Sequence, residues 1–308
     1  MKSSLWSVVL AAGSGRRLSR LTGGIPKQFW CPAGTTSLVE ETVARLAPIC
    51  SAQRTVIVVN KDQRKYLSPR PSTPPSGRVV FQPEDRGTAA GVLFGLTEVL
   101  SSEPNAVVLV TPSDHGVKSP EAFRRGILDA VAHVALGDGV VLFGVEPSAA
   151  QTDYGWITLG PSTESGAVQS VASFVEKPPK DTAQRLFSSG AIWNTMVIVA
   201  RARTLFDLCR QQLSGLAGVF ISSLSLPQDA REAFLAMRYP HLEAADFSRD
   251  VLTPAVDLLA YTWPASIGWS DLGTPERLHQ WLRPANLNGL INAAPEEKRR
   301  LEIVSAAT

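Results

Sequence analysis

Cysteine is scarce and badly placed for chemistry. Cys31, Cys50 and Cys209 are widely spaced and form no C-x-x-C pair. That spacing excludes a thiolate zinc site and argues against a disulfide framework, so the three read as reduced structural thiols of a cytoplasmic protein. Long apolar runs are also missing. None approaches the roughly 18 residues that span a bilayer. The apolar stretch from Leu5 to Ala12 is too short for a signal-peptide core, and Gly-Ser-Gly-Arg-Arg follows where a small-residue cleavage region would stand. Strong net charge is absent as well: +2 over 308 residues, without a long basic run, gives no general attraction to nucleic acid or to a membrane surface. Acidic residues are missing altogether before Glu40, although Lys2, Arg16, Arg17, Arg20 and Lys27 are all present. That local asymmetry suits a polyanion such as a nucleoside triphosphate.

The same N-terminal segment holds the most informative motif. A short apolar run, Ser7–Ala12, reads as a buried first strand, and the glycine loop Gly13-Ser14-Gly15-Arg16-Arg17 follows directly. Glycines there allow backbone angles closed to other residues and a close approach by ligand, and successive N–H groups in such a loop cradle anions. Two common phosphate motifs do not apply. Leu18 stands at the third glycine position of a dinucleotide fingerprint, and Gly15 is not followed by the Lys-Ser/Thr of a Walker A loop. As a bare pattern the segment is equally compatible with a glycine turn on a solvated basic surface.

Strand-like and helix-like segments alternate through the first half. Strands are expected at Ser7–Ala12, Thr55–Val59, Arg78–Phe81, Ala106–Thr111 and Val140–Gly144. Helices are expected at Ser37–Leu46, at Gly87–Leu100 with Val92, Leu96 and Leu100 on one side, and at Pro120–Ala135. Ser68–Pro75 is too proline-rich for either and reads as a surface loop. Alternation of this kind implies a Rossmann-like, doubly wound α/β fold with a mixed, mostly parallel sheet. Ligands of such sheets lie beyond the carboxyl ends of the strands, where Gly13-Ser14-Gly15 and Ser113-Asp114 would share one crevice. The second half is more mixed, with strands expected at Trp156–Leu159, Val168–Val175 and Thr195–Ala200.

Seven ordered motifs carry a family resemblance. They are Leu-Ala-Ala-Gly-Ser-Gly-Arg-Arg-Leu (residues 10–18) with Pro26-Lys27-Gln28-Phe29; Gln82-Pro83-Glu84-Asp85-Arg86-Gly87-Thr88-Ala89; Pro112-Ser113-Asp114-His115; Tyr154-Gly155-Trp156-Ile157; Phe174-Val175-Glu176-Lys177-Pro178; Trp193-Asn194; and Trp269-Ser270-Asp271-Leu272-Gly273. Together they resemble the sugar-1-phosphate nucleotidylyltransferases, and most of all the mannose-1-phosphate guanylyltransferase branch. The resemblance implies the nucleotide-diphospho-sugar transferase type of fold. It implies a catalytic unit over 1–285, with a nucleotide-binding half at about 1–145 and a sugar-binding half at about 146–285. Residues 286–308 are then a short tail, with a helix at Glu296–Val304.

The implied reaction is attack by a sugar-1-phosphate oxygen on the α-phosphorus of a nucleoside triphosphate, with release of pyrophosphate. Such a transfer depends on positioning and charge stabilisation. By resemblance, Arg17, Lys27, Asp114 and Lys177 are catalytic. Leu10, Ala12, Gly13, Ser14, Gly15, Arg16, Gln82, Arg86, Gly87 and Thr88 bind nucleotide, with Arg16 either a phosphate contact or solvent-facing, and Thr88 also readable as a helix N-cap. Tyr154, Gly155, Glu176, Lys177, Asn194 and Asp250 bind the sugar phosphate. Asp114 and Asp271 hold Mg²⁺ or another divalent cation, which takes one or two carboxylates plus phosphate oxygens and water. His115 is readable either as a neighbour of the metal or as a packing residue. Trp156, Trp193 and Trp269 read as packing residues rather than stacking platforms.

The expected partners are a nucleoside triphosphate and a sugar-1-phosphate, GTP and mannose-1-phosphate giving GDP-mannose, with a homodimer as the assembly the resemblance implies. Ala12 and Gly87 depart from the guanylyl pattern and keep open another sugar or another nucleotide. A catalytically silent, nucleotide-sugar-binding regulator is the reading from a different class. Retention of Arg17, Lys27, Asp114, Lys177 and Asp271 argues against it.

Overall fold

The computed structural model describes residues 4–282, apart from residue 33, residues 68–76 and residues 164, 165 and 167. The proline-rich stretch Ser68–Pro75 and the tail with its expected helix lie outside the described residues, and Arg16 is described in its backbone alone. In chain order the elements are β1 (Leu5–Leu10), α1 (Leu38–Leu46), β2 (Thr55–Asn60), β3 (Arg78–Gln82), α2 (Gly87–Ser102), β4 (Val107–Pro112), β5 (Gly116–Val117), α3 (Pro120–Leu136) and β6 (Val140–Val145). The second half adds β7 (Gly155–Ser162), β8 (Gln169–Glu176), α4 (Lys180–Ser188), β9 (Ile192–Arg201), α5 (Ala202–Gln212), α6 (Ser214–Leu224), α7 (Gln228–Arg238), β10 (Leu258–Trp263), β11 (Trp269–Ser270) and α8 (Pro275–Leu282).

One nine-stranded sheet runs through both halves in the order β3-β2-β1-β4-β9-β6-β10-β8-β7. The pairs β1–β2, β1–β4, β2–β3 and β6–β10 are parallel. Strand β9 runs antiparallel to β4, β6 and β7, and β8 antiparallel to β10 and β7. All strands of this sheet except β8 and β9 therefore point one way, which is the mixed, mostly parallel, doubly wound sheet that the alternation implies. Side chains alternate across it. Val8, Val56, Val58, Val108 and Val110 join the core on one face; Val9, Ile57, Val59, Val107 and Leu109 join the core on the other. Burial on both faces is why these strands read as unbroken apolar runs.

Three local features shape the site. First, β1 ends at Leu10, two residues before the expected boundary, because the carbonyls of Ala11 and Ala12 leave the ladder for the side chains of Gln28 and Asn60. Second, β9 carries a bulge: Phe143 pairs with Val197 but Gly144 with Asn194, so Thr195 and Met196 are extra. The Thr195 hydroxyl fastens the bulge by donating to the Phe143 carbonyl at 2.6 Å. Bulges re-aim side chains in this way, and Met196, at φ 60°, lines a cavity beyond the ends of β1 and β4. Third, β5 and β11 form a two-residue ribbon, Gly116 opposite Ser270, which draws the motif at Asp271 to the motif at Asp114.

Helix α2 differs from the one-sided helix that Val92, Leu96 and Leu100 suggest. Every residue from Ala89 to Leu100 is buried, because α5 and α6 pack over its outer face. Gly95 sits where a Cβ would lie 2.3 Å from Val8 Cγ1. Helix propensity alone favours alanine over glycine by about 1 kcal/mol, whereas overpacking a filled core costs about 1–3 kcal/mol. Packing decides the sign, since Val8 is branched, fully buried and unable to step aside. Gly95→Ala is expected to lower unfolding stability by about 1 kcal/mol net, read from the urea midpoint; a raised midpoint would contradict this packing.

Candidate active site at the ends of the parallel strands

A cavity of about 540 Å³ opens beyond the carboxyl ends of β1 and β4. Leu10, Ala12, Gly13, Ser14, Gln82, Gly87, Thr88 and Asp114 all line it, so the sheet brings together the glycine loop, the turn after β3 and the aspartate after β4. The loop is held from behind by uncharged side chains. Gln28 Nε2 donates to the carbonyls of Ala11 and Gly13, both at 2.8 Å; Gln63 Nε2 donates to Gly13 at 2.9 Å; Asn60 Nδ2 donates to Ala12 at 2.9 Å. Gln82 continues the chain: its Nε2 donates to Asn60 Oδ1 at 2.6 Å and its Oε1 accepts from the buried Tyr239 hydroxyl at 3.0 Å. Because the loop's carbonyls are engaged on the sheet side, amides are what it can offer a ligand.

Gly15 has φ 62°, and a Cβ there would stand 2.7 Å from the Lys27 amide nitrogen. Only glycine lets the loop close on Pro26–Lys27. Lys27 itself is 7% exposed. Its ammonium lies 3.0 Å from Asp114 Oδ2 and also donates to the Asp271 carbonyl. Arg17 is exposed on the short turn Arg16–Leu18, outside the lining of the cavity as described.

The segment carrying Asp114 is fixed by α1. Thr42 Oγ1 donates to the Ser113 carbonyl at 3.1 Å, and the Arg45 guanidinium to the His115 carbonyl at 3.1 Å. Burial draws the Arg45 pKa down to about 10, with Glu41 opposing, so it stays a cation at neutral pH. His115 stands edge-on to Trp269, its Nε2 3.9 Å from Asp114 Oδ1. Burial, against the pull of Asp114, lowers its pKa to about 4, and the ring is neutral at physiological pH.

The turn after β3 is locked to the segment before residue 248. Ala245 N donates to the Arg86 carbonyl, Ala89 N to the Ala245 carbonyl, and Phe247 N to Thr88 Oγ1 at 2.7 Å. Thr88 is therefore not the N-cap: Arg86 holds that position, and the Thr88 hydroxyl serves a neighbouring stretch of backbone instead. The Arg86 guanidinium is engaged by Glu84 and the Pro240 carbonyl. Gly87 has φ 81°, and a Cβ would lie 2.3 Å from the Ala245 oxygen.

The residues expected to hold sugar phosphate form a neighbouring set rather than part of the cavity's lining. Gly155 pairs with Glu176 across β7 and β8. Glu176 accepts from Lys177 Nζ at 2.9 Å; burial raises its pKa, and Lys177 restrains the rise. Lys177 takes φ 45°, a left-handed angle that a non-glycine residue adopts at a cost and that recurs at functional sites. Asn194 Oδ1 accepts from the Met196 amide at 3.1 Å. Asp250 accepts from two Arg249 nitrogens, at 2.7 and 2.9 Å, and from the Asp246 amide; these bonds, Arg249 first, lower its pKa. Met196, Asp246 and Arg249 line the cavity and join the two sets. Trp156 and Trp193 are buried packing residues.

Asp271 is not among the residues that line the cavity. Its Oδ1 accepts from the Tyr154 hydroxyl at 2.8 Å and the Gly273 amide at 3.1 Å, and Arg277 contacts both carboxylate oxygens at 3.1 Å. Burial works against ionisation, while His115, Arg277, the Tyr154 hydroxyl and Lys27 favour the carboxylate, and the pKa lies below the ordinary value. His115 adds to this only where it is itself charged. Burial, reinforced by Asp271, pushes the Tyr154 hydroxyl well above its usual range. Gln28, Asn60, Gln63, Arg277 and the 244–249 segment are not singled out by sequence. The Pro-Lys-Gln-Phe motif does include Gln28, and nothing in the local pattern marks the others.

Fold and site together define an α/β protein with a cavity beyond the carboxyl ends of parallel strands, where ligands of such sheets lie. The chain matches the nucleotidyl transferase family over residues 6–285 and belongs to it. It is 29% identical over 293 residues to a mannose-1-phosphate guanylyltransferase of Escherichia coli K12, covering 89% of this chain and 59% of that protein. It is 29% identical over 288 residues to the xanthan biosynthesis protein XanB of Xanthomonas campestris pv. campestris, covering 88% and 58%. The chain thus spans about three fifths of the length of these relatives. Among solved structures, one named as a mannose-1-phosphate geranyltransferase from Thermus thermophilus superposes with a TM-score of 0.80 at 28% identity, covering 92% of this chain and 80% of that one. A UDP-glucose pyrophosphorylase shares the fold, with a TM-score of 0.60 at 14% identity, covering 99% and 98%.

Gly87→Ala tests the locked turn. A side chain at a strained positive φ costs about 1–3 kcal/mol, and the Ala245 backbone cannot yield as a flexible side chain would. A loss of that size in unfolding free energy is expected, and an unchanged denaturation midpoint would contradict the close approach.

Proposed function

We propose that this protein transfers a nucleotidyl group from a nucleoside triphosphate to a sugar-1-phosphate, releasing pyrophosphate, with GTP and mannose-1-phosphate as the pair. The observation that carries the reading is the single cavity shared by Gly13-Ser14, Gln82, Thr88 and Asp114, with the Lys27–Asp114 ion pair beside it. The relatives' names support the choice of sugar and nucleotide; Ala12 and Gly87 leave another pair as the alternative within the same reaction. A two-part organisation follows, with the nucleotide in the first half and the sugar phosphate against the second.

In this reading the loop amides and Arg17 receive the triphosphate. Lys27, held rigidly at the junction, offsets charge building on the leaving pyrophosphate. Electrostatic stabilisation by pre-placed groups is the largest contribution open to a site without a nucleophile. Gln82, fixed by Asn60 and Tyr239, presents one defined face to the base. Glu176 and Asn194 orient sugar hydroxyls, and Lys177, paired with Glu176, meets the sugar phosphate. Asp250 steadies Arg249 at the rim.

A divalent cation fits the donor set. Among the described residues no three or more His, Cys, Asp or Glu side chains converge as a metal site. Mg²⁺, which takes one or two carboxylates and fills its remaining positions with phosphate oxygens and water, needs no more than Asp114 and Asp271. Such an ion would supply charge on the α-phosphate. Among the described residues no helix is long and apolar enough to cross a membrane. We keep the cytoplasm as the proposed location, and a homodimer as the proposed assembly.

The test is pyrophosphate release with Mg²⁺, crossing GTP, ATP, UTP, CTP and dTTP with a panel of sugar-1-phosphates. Turnover with GTP and mannose-1-phosphate is expected. Turnover with a different pair would retain the reaction and replace the substrates, and silence across the panel would overturn the reading. Lys27→Ala is expected to lower kcat by about 100-fold or more, the usual loss for one pre-placed electrostatic donor, with the fold intact by circular dichroism.

A further inference from the structure

Asp271 is not simply available. The Arg277 side chain is 16% exposed, and its guanidinium bridges two carboxylates: Nη1 lies 3.1 Å from each Asp271 oxygen, while Nη2 lies 2.7 Å from Asp153 Oδ2 and also donates to Gln151 Oε1 at 3.4 Å. The same guanidinium carbon stands 4.4 Å above the Tyr154 ring. With the Tyr154 hydroxyl and the Gly273 amide added, Asp271 Oδ1 accepts from three donors, and Oδ2 from one. A carboxylate offers about four lone-pair positions, so most of its coordinating capacity is taken within the protein.

From this geometry we propose that Arg277 is a positioning residue that competes with the divalent cation for Asp271, setting how much cation the site requires. The inference rests on the nucleotidyl-transfer reading above. One guanidinium nitrogen straddling two oxygens is a weaker grip than the two-nitrogen fork that makes Arg–carboxylate pairs strong, and a hard dication prefers carboxylate oxygen at short range. Releasing Asp271 does not strand the guanidinium. It keeps Asp153 and the Tyr154 ring face, so the penalty for an unpaired buried charge is not incurred. Leu272, the next residue, holds φ 48° and is fully buried, which anchors the backbone while the Asp271 side chain changes partner. Asp153 is thus the acceptor on which the exchange depends.

Mn²⁺ binding to the full chain, followed by the electron paramagnetic resonance signal of free Mn²⁺, reads this without turnover. Arg277→Gln is expected to tighten Mn²⁺ at least fivefold. Asp153→Asn, which leaves Asp271 as the one carboxylate paired with the guanidinium among the described residues, is expected to weaken it at least threefold. Asp114→Asn in the Arg277→Gln background should abolish the gain, which assigns it to this site. Unchanged or weaker binding in Arg277→Gln overturns the proposal, as does the absence of Mn²⁺ binding from both proteins. If Arg277→Gln fails to fold, Asp153→Asn decides alone, and unchanged affinity there is equally fatal. Pyrophosphate release by the parent protein, measured alongside, reports separately on the nucleotidyl-transfer reading, because the Mn²⁺ isotherms require neither nucleotide nor sugar.

Discussion

The site is organised around one buried cation. Lys27 lies at the meeting point of three chain segments: the glycine loop closes on its backbone, Asp114 at the end of β4 faces its ammonium, and the Asp271 carbonyl from the β5–β11 ribbon receives one of its hydrogens. A buried charge is costly unless it is paired and hydrogen-bonded. The loop, the central strand end and the C-terminal ribbon are therefore only stable together. Gly15 at positive φ, the pairing of β5 with β11, and the grip of Thr42 and Arg45 on residues 113–115 can all be understood as conditions for placing that ammonium.

Charged and uncharged side chains divide the work. The backbone of the loop is held by amides and a phenol: Gln28 and Gln63 bond to each other, Asn60, Gln82 and Tyr239 form a second chain, and both sets bond to the loop carbonyls. Such networks fix a geometry without adding charge, and each member depends on the others for its partners. The ionisable groups lie closer to the ligand space. There they are paired with one another: Lys27 with Asp114, Lys177 with Glu176, Arg249 with Asp250, Arg277 with Asp271 and Asp153. On the proposed reading, ligand binding at this site is an exchange of partners rather than the filling of an empty electrostatic well.

Sequence carried the fold further than the site. Central strands such as Val107–Pro112 were readable because burial on both faces leaves an unbroken apolar run, and the order of strands and helices then dictated a doubly wound sheet. The outer face of α2 was not readable, since the helices that cover it lie more than a hundred residues later, at Ala202–Gln212 and Ser214–Leu224. The same long-range dependence governs the site. Motifs located Asp114 and Asp271, but only the folded chain shows that Asp271 faces Arg277 or that Thr88 serves the Phe247 amide instead of capping its own helix. Asn60 and Gln63 carry no signature, because an amide acquires its role solely from the carbonyl it reaches. Met196 reaches the cavity through a bulge whose cause is the register between β6 and β9, a relation no local pattern contains.

The proposed nucleotide cradle joins three segments distant in sequence, the glycine loop, the turn after β3 and the end of β4, with Lys27 beside it. Hydrogen–deuterium exchange with and without GTP and Mg²⁺ tests it most directly. Concerted protection of residues 11–17, 82–89 and 113–115, lost together in Lys27→Ala, is the result the account predicts. Protection confined to one segment, or appearing elsewhere while these three remain unchanged, would contradict it.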